Sequence, residues 1–210
     1  MIMPVSPRST GKMAPRTACP LRDICRRHDD LSMDPRPLST PLDAATVRSL
    51  HVGDMVQLNG RLISARDAAH RRLIECLDQN LPLPVALAGQ ALYYVGPTPA
   101  PPGRAIGSAG PTTSGRMDPY TPRLLAATGL RALIGKGPRS AAVVEALQAH
   151  DCVYLAATGG AAALLAERIS AAEVIAYPDL GPEAIHLFQV EDFPAVVAID
   201  CHGGNLYQRG

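Results

Sequence analysis

The chain has 210 residues, 47% of them apolar and 19% charged, with a formal net charge of +1. That length suits one well-buried core with a tail and is short for two cores. The near-neutral balance offers no basic field to attract nucleic acid, and no apolar run of about 18 residues is present to cross a membrane.

Residues 1–36 hold Pro4, Pro7, Pro15, Pro20 and Pro35 among arginines and serines, with little apolar periodicity. Such a segment cannot bury enough surface to offset its ordering entropy, so it is read as a disordered tail. Its opening residues lack the apolar stretch of a secretory signal, and Asp23, Asp29, Asp30 and Asp34 argue against a transit peptide. Cys19, Cys25 and His28 lie close together but lack the second half that a four-ligand zinc site needs. Met33 is a candidate alternative start. The five cysteines, an odd number without a tight framework, fit reduced thiols and a cytoplasmic location.

Residues 37–210 alternate short apolar runs with helical patterns, which marks an α/β domain. Strands are expected at 55–58, 91–95, 105–108, 132–134, 153–156, 173–176, 186–190 and 195–199. The first helix is expected over 64–77, opened by a capping-box pattern at Ser64-Ala65-Arg66-Asp67. Two more, over 139–150 and 160–169, each follow a strand directly, and a further helix is predicted after Asp118. The Pro-rich stretch 96–103 reads as a loop. The last strands succeed one another without helices, so the expected sheet is mixed, with a second, antiparallel layer.

Three segments carry candidate chemistry. In Ala65-Arg66-Asp67-Ala68-Ala69-His70, Arg66 and His70 sit four residues apart on one face near a helix start, which suits an anion. The bland alternative is a solvated first turn in which Asp67 complements the dipole. In the run from Gly110 to Asp118, free amides, the hydroxyls of Thr112 and Thr113 and the guanidinium of Arg116 can converge on one oxyanion. An ordinary capped turn would use the same hydroxyls. Ile134-Gly135-Lys136-Gly137-Pro138 closes a strand and opens a helix without the full P-loop pattern. All three are junctions of the kind that gather at the carboxyl ends of strands, so Arg66, Arg116 and Lys136 together can neutralise a dicarboxylate.

With ARDAAHRRL, GPTTSGRMDPYTPRLL, IGKGPRS, YPDLGPEAI and VEDFPAVVAID in this order, residues 37–210 resemble the C-terminal domain of class I iron–sulfur fumarases. In two-subunit fumarases and L-tartrate dehydratases that domain is a separate β subunit. The resemblance implies a three-layer swivelling β/β/α domain completing an active site with a cluster-bearing α subunit, in an α2β2 assembly. It implies that Arg66, Arg116 and Lys136 bind the substrate carboxylates and that Thr112 is the base, with Thr113 the alternative hydroxyl. His70 and Asp67 would be supporting residues. The [4Fe–4S] cluster, Lewis acid toward the departing hydroxyl, is then expected in the partner, because the cysteines here are not grouped as ligands and no motif residue is assigned to metal. Fumarate hydration is the expected reaction, since Asp118 stands where the tartrate dehydratase pattern carries glutamate. L-tartrate or methylfumarate chemistry, a non-catalytic dicarboxylate-binding module, and a phosphate-binding enzyme using Lys136 are the alternatives.

Overall fold

The computed structural model describes residues 34–157 and 162–208. The tail up to residue 33, including Cys19, Cys25 and His28, lies outside them. Seven strands alternate with five helices in a mixed α/β arrangement among the described residues. The strands are β1 (Arg36–Ser39), β2 (Met55–Ser64), β3 (Ala91–Tyr93), β4 (Ala132–Gly135), β5 (Val153–Ala156), β6 (Ile169–Ala176) and β7 (Ile185–Ile199). The helices are α1 (Ala44–Arg48), α2 (Asp67–Asp78), α3 (Thr121–Thr128), α4 (Ala141–Ala149) and α5 (Ala162–Glu167). No described helix is long and apolar enough to cross a membrane.

Strands β1 to β5 pair side by side in parallel, and β7 returns antiparallel to β5 and β6. It also pairs along almost the whole of β2, so the ladder β2-β3-β4-β5-β7 closes on itself. The parallel and antiparallel parts therefore share one hydrogen-bonded sheet.

Strand alternation assigns the two faces of this sheet to different cores. Ala132 and Ile134 of β4, with Val153 and Leu155 of β5, join a cluster with Leu58, Leu62, Phe188 and Val190. Leu133 and Tyr154, the residues between them, join Leu73, Leu124, Val143 and Leu147 of the helices. Burial on both faces explains why β4 and β5 read as unbroken apolar runs.

Three local expectations are corrected. Residues 105–108 are not a strand: their ladder stops after Thr98 N to Ser108 O (3.1 Å) and Gly107 N to Thr98 O (3.0 Å). The facing segment contains Pro97, Pro99, Pro101 and Pro102, which have no amide to donate. Ser64 does not cap α2 but ends β2, where its hydroxyl accepts from the amide of His186 at 3.0 Å. The N-cap is Arg66, without a side-chain cap bond. Finally, the separate runs 186–190 and 195–199 are halves of the single strand β7.

Candidate active site

The register aligns Ser64, Tyr93 and Ile134 in one row across β2, β3 and β4. Because these strands are parallel, their carboxyl ends open on the same edge, where an α/β sheet presents ligands with exits from several strands. Arg66 leaves β2 there and Lys136 leaves β4.

The segment 110–118 returns to this edge and is stitched into it. Thr112 donates its amide to Tyr94 O at 2.8 Å, Thr113 bridges Lys136, and Ser114 donates to Lys136 O at 2.9 Å. The amides of Thr112 and Ser114 are thus committed, which corrects the expectation of freely converging N–H groups. What the loop offers is its hydroxyls and a guanidinium. A Cβ on Gly135 would overlap Ser114 Oγ, so glycine at 135 lets the loop lie against the strand exit. The short 3-10 turn Ser114–Met117 then carries Arg116 over to α2, where its Nε lies 2.8 Å from Asp67 Oδ1.

Arg66 Nη2 lies 3.7 Å from Asp67 Oδ2 and 3.4 Å from Glu183 Oε1. The side chain of Arg66 is 22% exposed and that of Arg116 is 52% exposed, so Arg66 forms the wall and Arg116 the reachable edge. Lys136 and Thr113 are exposed and Thr112 is half-buried. The structure therefore links Arg66, Asp67 and Arg116 through ion pairs, and Thr113 with Lys136 through backbone pairing. Asp67 meets Arg116 through Nε, and the guanidinium, half exposed, is of the kind that pairs with carboxylates. An open groove of about 320 Å³, lined by Pro97, Thr98, Ile106, Val174, Pro182 and His186 among others, adjoins this cluster. At the junction, a Cβ on Gly96 would come within 2.9 Å of Pro182 O and 3.1 Å of Arg66 Cδ.

His70 faces inward, not toward the ligand edge. It is fully buried, edge-on to Tyr94 at 5.3 Å, and its Nδ1 lies 2.8 Å from Arg66 O. A carbonyl only accepts, so Nδ1 carries the proton and donates, pinning the first turn of α2. Nε2 is buried with no partner among the described residues. Burial pushes the pKa down to about 4, outweighing the bond to Arg66 O. An unfolded His70 would take up its proton near 6.5 while the folded one stays neutral to about 4, so stability must fall as pH drops through that window. The expected loss is about 3 kcal/mol, fully developed near the lower pKa. Urea midpoints for wild type and His70→Gln between those limits check this; equal slopes would refute it.

Several residues of the site region were missed by local reading. Glu183 contacts Arg66 and accepts the amide of Ala68 at 2.9 Å, and its segment Pro178–Glu183 is held to α2 by the Arg72–Asp179 pair. The buried Arg139 binds Asp118 through Nε at 2.7 Å, and Asp118 Oδ2 accepts the amide of Ser140 at 2.7 Å. Tyr154 contacts Ser114 Oγ at 2.9 Å and Gly137 O at 3.0 Å. Asp118 is therefore engaged beneath the loop and touches none of the three cations. Among the described residues no His, Cys, Asp and Glu side chains group in a way that could hold a metal. Cys76, Cys152 and Cys201 are free thiols.

The family model described as fumarase C-terminus matches residues 22–210, starting ahead of residue 37. The chain belongs to the fumarase C-terminal family. This fumarase C-terminal chain is 39% identical over 192 residues to fumarate hydratase 2 of Leishmania major, covering 90% of this chain and 34% of that protein. It is 41% identical over 175 residues to the aerobic class I fumarate hydratase of Escherichia coli K12, covering 83% of this chain and 32% of that protein. It thus spans about a third of the length of these fumarate hydratases. A putative L(+)-tartrate dehydratase subunit beta of Methanocaldococcus jannaschii is 38% identical over 168 residues, 78% of this chain and 86% of that protein.

Proposed function

We propose that this chain is the β subunit of an iron–sulfur hydro-lyase that interconverts fumarate and L-malate. The observation that carries the reading is that Arg66 and Lys136 follow the carboxyl ends of parallel strands of one sheet, with the loop of Thr112 and Arg116 bonded to the same edge, in a fumarase C-terminal chain. The β-subunit reading is supported by the similarity to the putative L(+)-tartrate dehydratase subunit beta, which the alignment covers to 86%. The fold-over of β7 onto β2, with a core on each face of the central strands, supports the finer reading as a three-layer swivelling β/β/α domain.

In this reading the three cations hold the two substrate carboxylates, Arg116 by its guanidinium and Lys136 as a compact charge. Thr112 removes the proton from carbon in the dehydration direction and returns it on hydration. A threonine hydroxyl is a weak base, so the neighbouring positive charge that stabilises its deprotonated form is part of the chemistry. The partner α subunit, in an α2β2 assembly, would hold the [4Fe–4S] cluster, which would supply Lewis-acid chemistry toward the departing hydroxyl. The cytoplasm is the proposed location.

Dehydration of L-tartrate is the second reading, favoured by the subunit-sized match. Against it stands Asp118, where the tartrate dehydratase pattern carries glutamate; its carboxylate bridges Arg139 and Ser140.

Co-expression with a cluster-bearing partner under anaerobic conditions should yield fumarate hydration, while the isolated chain should show none. No turnover of fumarate, L-tartrate or methylfumarate by a cluster-loaded complex would overturn the hydro-lyase reading. Tight dicarboxylate binding by an isolated monomer would point instead to a binding module. In the active complex, Arg116→Met should raise KM about tenfold or more with kcat little changed, because it removes binding common to substrate and transition state. Steady-state kinetics check the split.

A further inference from the structure

A guanidinium with 0% of its side chain exposed lies directly beneath the two loops of the site. Besides Asp118, Arg139 donates from Nη2 to Thr121 Oγ1 at 2.9 Å, and it lies between the rings of Tyr94 and Tyr154, at 5.3 and 5.0 Å from their centroids. Burying such a charge costs about as much as its pairing returns, and an apolar side chain of similar volume would stabilise the core as well. What the ion adds is direction, since each of its bonds fixes where a neighbouring segment lies.

Those segments are the ones that bear the site. Asp118 follows the turn that carries Arg116, and its two oxygens tie that turn to Arg139 and to Ser140 at the start of α4. Tyr154, stacked on the same guanidinium, joins Ser114 to Gly137. The Tyr154 hydroxyl donates toward both Ser114 Oγ and Gly137 O, sharing its one proton between these two acceptors. This two-bond chain links the loop of Thr112 and Thr113 to the loop of Lys136.

We propose that Arg139, acting through Asp118 and Tyr154, is the positioning residue that holds segment 112–116 and Lys136 in one arrangement. The role rests on the hydro-lyase reading for what that arrangement accomplishes. Misplacing a reacting group by about 1 Å can cost a hundredfold in rate, so small loosening of these loops is expressed in turnover before it is expressed in folding.

The test uses Arg139→Lys and Tyr154→Phe in the full chain assembled with its cluster-loaded partner. Expected are a fall in kcat/KM of about tenfold to a hundredfold per assembled complex and faster deuterium exchange at the Ser114 amide, with the melting temperature of Tyr154→Phe near wild type. If Arg139→Lys fails to assemble, Tyr154→Phe carries the test, since it removes a single oxygen. Activity lost only in proportion to assembled protein, with Ser114 exchange unchanged, would overturn the proposal. A wild-type complex inert toward every diacid would defeat the hydro-lyase reading instead, while amide exchange would still decide whether Arg139 and Tyr154 hold the loops.

Discussion

Thr112→Ala in the assembled complex is expected to lower kcat by about a hundredfold to ten-thousandfold, the usual worth of a positioned acid or base, and to move KM by less than about threefold. The substitution deletes the hydroxyl but not the anchoring, because Thr112 is held through its amide on Tyr94 O, a bond that alanine keeps. Neither Arg66 nor Arg116 depends on the threonine side chain for its ion pairs. Thr113→Ala is the control: Thr113 is exposed and bridges Lys136 through the backbone, so its hydroxyl should matter much less. A larger kcat loss in the Thr113 variant would transfer the role of base to Thr113.

The second large effect is on stability. Asp118→Ala is expected to cost about 3–5 kcal/mol, because it strands the Arg139 guanidinium in a site with no solvent exposure. For a domain of this size that corresponds to a drop in melting temperature of about 10 °C or more. Arg139→Met should cost less. Asp118 keeps 15% exposure and its bond from Ser140, and methionine fills much of the slot between Tyr94 and Tyr154. Thermal denaturation of both variants decides the order. A costlier Arg139→Met would mean that the aromatic sandwich outweighs the ion pair.

The misreadings of β2 and β7 share one physical origin. Only residues 55–58 of β2 were expected, and β7 was expected as two pieces; both breaks fall where the two strands cross at a register shift between Leu58 and Gly60. Gly60 has φ +101 and Asp192 has φ +49 there, and Asn59 Oδ1 accepts the amide of Asp192 at 2.9 Å. Read locally, Asn59-Gly60 and Glu191-Asp192 look like turns, because their composition is that of turns. In the fold they form a bulge that bends the paired strands and lets the ladder close. The short strands β3, β4 and β5 were legible because burial on both faces leaves no polar alternation to interrupt them.

The cations and hydroxyls of the candidate site were legible for a different reason. Arg66, Thr112, Arg116 and Lys136 all stand at junctions whose glycines, prolines and hydroxylated residues announce where strands stop and helices begin, and such junctions are fixed by the local backbone. Their support was not legible. Glu183 reaches Arg66 only because β7 folds back along β2, and Tyr154 reaches Ser114 across 40 residues of chain. His70 likewise had the helical spacing expected of an anion-facing residue, yet it turned inward against Tyr94. Periodicity and turn chemistry act within a few residues and so decide the elements, the junctions and the charged groups on them. Ion pairs, buried tautomers and stacked rings form between segments distant in the chain, and only the closure of the sheet and the packing of its helices brought those segments together.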